Sequence, residues 1–175
     1  MKKFELTSES VVDIFGKKLF RIKALVEFGN VKEGELGGFV EKEENLSHEG
    51  NAWVYGNARV SGNARVYGDA RVYGDAWVYG NAWVCDDAWV YGDAKVCGDA
   101  WVCGNADYAT VKGFGTEYRA TTFFKCKDGI LRVRCGCFYG DLEEFRNQVK
   151  NTRKGKIAEE YLMIADLMEK HFKEG

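Results

Sequence analysis

Proline is absent from all 175 residues, and histidine occurs only twice, as His48 and His171. The missing proline carries no inference here, but the scarcity of histidine does. General-base chemistry near neutral pH usually draws on histidine or a tuned carboxylate, and residues 51–116 contain neither His nor Glu. No apolar run is long enough to span a membrane and no signal-peptide pattern is present. Charge of one sign is also lacking: the formal net charge is −2, so bulk electrostatics point to no nucleic-acid partner. Six cysteines without a secretory signal read as reduced thiols in a cytoplasm.

What the chain has in abundance is repetition. Residues 51–104 read NAWVYGNARVSGNARVYGDARVYGDAWVYGNAWVCDDAWVYGDAKVCGDAWVCG, nine hexapeptides without a break. Each runs Asn/Asp, Ala, a large residue, Val, a variable residue, then Gly or once Asp. The Ala–large–Val alternation is that of a strand with one buried face: Ala and Val inward, the large residue outward. Gly with Asn or Asp then forms a tight corner, since these residues tolerate left-handed backbone. One hexapeptide cannot bury its Ala and Val alone, so the units must coil and stack.

The hexapeptides resemble those of the hexapeptide-repeat proteins, whose chains wind a left-handed parallel β-helix of triangular cross-section. The resemblance implies three hexapeptides per turn, so residues 18 apart share a column. It also implies a habit of trimerising through the β-helix faces. "GFVEKE" reads as one more unit with Val40 inward, and "NLSHEG" as a decayed one, with Leu46 at the Ala position and His48 at the Val position. The expected fold is mainly β: a β-helix over residues 39–112, about four turns near 4.8 Å each, between an N-terminal β cap (1–38) and a C-terminal ββαα module (113–175). The leader "KALVEFGNVKEGELGGFVEKEENLSHEG" is similar in style to uncharacterised phage and prophage hexapeptide-repeat proteins.

In the cap, "KKFELT" and "KLFRIKAL" alternate like strands around a turn at residues 15–18. In the module, "EYRATTFFKCKDGILRVRCGCF" reads as a β-hairpin turning at Asp128-Gly129. Asp141 and Glu144 suit a capping box. The last helix carries Ala158, Tyr161, Leu162, Ala165, Met168 and Phe172 on one stripe.

Hexapeptide acyltransferases commonly use a His base in a groove between subunits and bind coenzyme A or an acyl carrier. Here His48 falls near the core and His171 near a helix C-terminus, where a cation suits the dipole, so both read as structural and no catalytic residue is assigned. The thiols do not converge on a zinc set, and the corner aspartates (Asp69 with Asp87, Asp75 with Asp93) are explained by turn geometry. No metal and no cofactor are expected.

The outward columns read Trp53–Arg71–Trp89, Arg59–Trp77–Lys95 and Arg65–Trp83–Trp101, so cations should stack on indoles between rungs. One face adds Tyr55, Tyr73 and Tyr91. Trp53, Tyr55, Arg71, Tyr73, Trp89 and Tyr91 together form the candidate interface, because Trp, Tyr and Arg dominate binding hot spots. A second candidate is the basic hairpin, Arg119, Lys125, Lys127, Arg132 and Arg134 against Asp128 alone, with Lys125 facing Arg132. Like charges across a hairpin suggest a nearby anion. The first functional expectation is a non-enzymatic binding or sequestering protein of phage or prophage origin, in the cytoplasm of a bacterial host. It would act on a host protein or a nucleotide-like anion, an anti-defence role among the possibilities, and assemble as a homo-oligomer, a trimer first. The alternatives are an acyltransferase-like enzyme with an inter-subunit site, and a structural rod.

Overall fold

In the computed structural model, which describes residues 1–173, the period of six sets the architecture. Nine two-residue strands follow one another: β4 (Trp53–Val54), β5 (Arg59–Val60), β6 (Arg65–Val66), β7 (Arg71–Val72), β8 (Trp77–Val78), β9 (Trp83–Val84), β10 (Trp89–Val90), β11 (Lys95–Val96) and β12 (Trp101–Val102). Every third strand pairs in parallel and in register, Val54 beside Val72 and Val72 beside Val90. Three columns of sheet result, β4-β7-β10, β6-β9-β12 and a longer one through β5-β8-β11. The Val at every strand and the Ala before it are 0–1% exposed. The corner glycines from Gly56 to Gly98 lie at φ between +56° and +71°, and Asp86 takes the same conformation at φ +52°.

The N-terminal cap is a meander of β1 (Phe4–Val12), β2 (Lys18–Ala24) and β3 (Leu36–Val40), the first pairs antiparallel. β3 then lies parallel to β5, with Val40 beside Val60, so the cap continues one column of the coil. Its fit is close: a Cβ on Gly37 would sit 2.5 Å from the Val54 carbonyl oxygen, and one on Gly38 2.5 Å from that of Ala58. Lys3 Nζ donates to the Ala52 carbonyl at 2.8 Å, and burial lowers its pKa to about 8. The first turn of coil corrects the reading of "NLSHEG". Leu46 bridges Val66, so it holds a Val place rather than an Ala place, and His48 lies outside the core. The slip arises because Leu46 and Val54 are eight residues apart, where six is the rule.

The coil strands end at Val102. Residues 108–111, expected inside the 39–112 coil, open the C-terminal sheet as β13 (Tyr108–Val111), followed by β14 (Thr121–Lys125), β15 (Leu131–Cys135) and β16 (Phe138–Asp141), all antiparallel. The module is therefore four strands and two helices, α1 (Leu142–Thr152) and α2 (Gly155–Phe172), rather than ββαα. Consecutive residues of β14 serve opposite sides. Phe124 joins the coil core, while Phe123 packs with Val133, Phe145 and Met168 under the helices. The capping box at Asp141 forms as expected, its carboxylate accepting from Glu144 N–H at 2.8 Å.

Candidate functional site

The outward residues of the coil divide by what covers them. On the β5-β8-β11 column, Phe15 from the β1–β2 turn lies 5.6 Å from Trp77, whose indole N–H donates to Ser61 Oγ at 3.3 Å. On the β4-β7-β10 column, Phe4 and Phe28 of the cap press on Trp53 at 6.2 and 5.3 Å and bury it completely. The expectation that all five tryptophans lie on the surface is thus corrected at Trp53 and Trp77, and Trp53 leaves the proposed interface. The missing signal lay in the cap, whose Phe4, Phe15 and Phe28 are the rings that meet Trp53 and Trp77.

Above Trp53 the same column is open. Tyr55, Tyr73 and Tyr91 form a ladder, with Tyr73 and Tyr91 stacked at 5.4 Å. Arg71 lies over the Trp89 ring at 5.1 Å, the cation–indole contact expected between rungs. Trp89 is 42% exposed and Tyr91 54%. Tyr108 closes the top of this face by donating its hydroxyl to the Trp89 carbonyl, and a 530 Å³ groove runs between Tyr73, Trp89, Tyr91 and Asn105. On the third column Lys127 reaches across from the hairpin, its ammonium 3.9 Å from the centre of the Trp83 ring. Grooves of 660 and 600 Å³ flank Trp83 and share Arg65 and Glu44.

The basic hairpin does not converge. Cys126 N–H donates to Ile130 O and Gly129 N–H to Cys126 O, so the loop is the three residues Lys127, Asp128 and Gly129, with Gly129 at φ +80°. The extra loop residue moves the register by one, and Lys125 faces Leu131 while Phe124 faces Arg132. The expected Lys125–Arg132 opposition does not exist, because a one-residue slip exchanges the faces. Arg132 instead pairs with Asp128 at 2.9 Å and Lys125 with Asp107 at 3.4 Å, while Arg119 pairs with Glu117. Arg134 lies toward the Tyr79 ring, 5.9 Å away. Only Lys127, of the five, reaches an aromatic of an open column.

Residues 52–68, 64–80 and 70–86 match the family model of the YdcK β-solenoid repeat. The coil is a β-solenoid. No curated protein matches the chain. The three matched windows start six or twelve residues apart and lie wholly within the solenoid.

Where the solenoid meets its cap, both ring nitrogens of His48 are engaged. Nδ1 accepts from Lys3 N–H at 3.1 Å, which leaves the proton on Nε2, 3.4 Å from Glu43 Oε2. The ring also stacks on Phe4 at 4.3 Å. A base needs a free lone pair within reach of a substrate proton, and here that lone pair holds the backbone of the cap. His171, on the last turn of α2, stands against Phe172.

The thiols of the solenoid differ from expectation. Cys85 and Cys103, one above the other just after β9 and β12, are joined as a disulfide. Cys97 and Cys126 are free and buried, and burial pushes both thiols up. Along one corner edge Asn63 donates to Asn81, and Asn81 to Asp99.

Proposed function

We propose that the protein acts by binding, as a non-catalytic module, and that the Tyr55–Tyr73–Tyr91 ladder with Trp89 receives a protein partner. One observation carries this. The chain covers the aromatics of one column and the foot of a second with its own cap, yet leaves Trp89 and Tyr91 exposed and flanking a groove. Exposed aromatic surface gathered on one face of a rigid scaffold is what hot spots are made of. The resemblance to left-handed hexapeptide-repeat proteins, which trimerise through such faces, makes a second copy of the chain the first partner. The phage-like leader supports a role in sequestering a host component. The engagement of both His48 nitrogens speaks against the acyltransferase alternative.

Native mass spectrometry of protein purified from its host reports copy number and any retained partner together. A homotrimer, or a stable complex, that falls apart in Trp89→Asp with Tyr91→Asp is the expected result. A wild-type monomer that retains nothing overturns the reading.

A second reading has one observation behind it: Lys127 over Trp83, with Lys42 and Arg65 lining the adjoining groove. A nucleotide-like anion would find a stacking plane and cations together there. Calorimetry with a nucleotide panel tests it. Loss of binding in Trp83→Ala, with binding kept in Arg132→Ala and Arg134→Ala, supports the groove over the hairpin; the opposite pattern returns the site to the hairpin.

A further inference from the structure

The hexapeptide at 81–86 departs from the repeat at its last residue. Its fifth residue is Cys85, and its sixth is Asp86 where the other hexapeptides of 51–104 all end in Gly. Asp86 nonetheless keeps the left-handed corner, at φ +52°, a conformation that costs a residue with a Cβ on the order of 1 kcal/mol. One turn above, Cys103 lies over Cys85 with Cα atoms 4.4 Å apart. The sulfur atoms and a carboxylate oxygen of Asp86 all lie within 4.8 Å of one another. Cys85 is buried, Cys103 half-buried and Asp86 exposed, so the group opens outward through the carboxylate.

We infer that, once the disulfide is reduced, Cys85, Asp86 and Cys103 form a three-ligand site for a zinc-type divalent cation. Two thiolates and one carboxylate are a donor set for zinc; calcium and magnesium require oxygen alone. The solenoid supplies the spacing. Zinc–sulfur bonds of about 2.3 Å place the two sulfurs of a tetrahedral site about 3.8 Å apart. Cysteines stacked on adjacent rungs reach that separation by side-chain rotation, without moving the coil. A fourth position remains for water or an exogenous ligand on the solvent side. Asp107 is not a ligand, because its Oδ2 already accepts from Cys103 N–H and Gly104 N–H, both at 3.0 Å. Disulfide and cation exclude each other, since both use the same two sulfurs.

The test begins with a trialkylphosphine. Its phosphorus supplies two electrons to the S–S bond, two protons complete the thiols, and phosphorus takes oxygen from water as the phosphine oxide. Cation binding then displaces the two thiol protons to solvent. The reduced full chain is titrated with cobalt(II), watching the thiolate-to-cobalt charge-transfer band, and the bound cobalt is displaced with zinc. One equivalent per chain is expected, with no band in the unreduced protein. Cys103→Ser should lose the band, while Cys137→Ser, which removes an exposed thiol elsewhere, should not. Asp86→Gly restores the glycine of the other repeats. It should fold at least as stably as the wild type and yet bind roughly tenfold more weakly or worse. Absence of a thiolate band in the reduced protein, persistence of the band in Cys103→Ser, or unchanged affinity in Asp86→Gly would each overturn the assignment.

Discussion

Trp77 and Trp89 hold the same third place in two copies of one hexapeptide, DAWVYG, on neighbouring faces, yet one is 8% exposed and the other 42%. The column of Trp77 is joined by the cap, and Phe15 folds over its ring. The column of Trp89 receives the cap only at its foot, where Phe4 and Phe28 enclose Trp53. The difference shows that a repeat fixes direction but not environment. Each third residue points away from the axis, and whether it meets protein or solvent depends on segments outside the repeat.

Substitutions that remove the covered aromatics should therefore cost far more than those on the open face. Trp53→Ala leaves a cavity between cap and coil, and a loss of about 3–5 kcal/mol in denaturant unfolding is expected. Next comes Lys3, whose buried ammonium beneath the same cap has a folded pKa of about 8 against 10.5 when exposed. Below pH 8 both states hold the proton and the burial penalty is present in full. Between pH 8 and 10.5 the unfolded chain alone keeps its proton, so this contribution shifts toward the fold as pH rises. Stability relative to Lys3→Met should thus climb over that window, by up to about 3 kcal/mol. A flat or falling difference between the two proteins would show that the ammonium is not desolvated. Phe15→Ala uncovers Trp77 at a cost of about 1 kcal/mol, with tryptophan emission shifting to the red. Trp89→Ala should change monomer stability least, by about 0.5 kcal/mol, while altering assembly. If it destabilises as much as Trp53→Ala, the two positions of the column are alike after all.

Much of this was legible in the chain. The period of six determines the strands and the inward Ala and Val, because each follows from alternation and corner chemistry within a few residues; the columns 18 residues apart came from the resemblance to hexapeptide-repeat proteins. The contacts that cross from one segment to another were not legible. Nothing local tells that Phe28 reaches Trp53, or that eight residues instead of six separate Leu46 from Val54. The hairpin shows how small the missing information can be. Asp128-Gly129 fits a two-residue turn, yet the loop also takes Lys127, and that single residue moves Lys125 off the face of Arg132. The disulfide was half visible: the three hexapeptides per turn that the resemblance implies put Cys85 under Cys103, while their bond does not follow.

The two ends of the solenoid have a consequence for how copies can meet. A bare coil end is a template on which another coil could add, and end-on addition has no natural stop. Here β3 occupies one end, and Phe124 of β14 fills the other, with Ala100 bridged to Cys126. The outermost strand of the long sheet, β1, is itself awkward to extend, since its pairing is interrupted between Leu6 and Ser10 and it carries Glu5 and Glu9. Lengthwise polymerisation is closed off at both poles. Copies that met through the open aromatic face would therefore lie flank to flank, with neither end available for lengthwise growth.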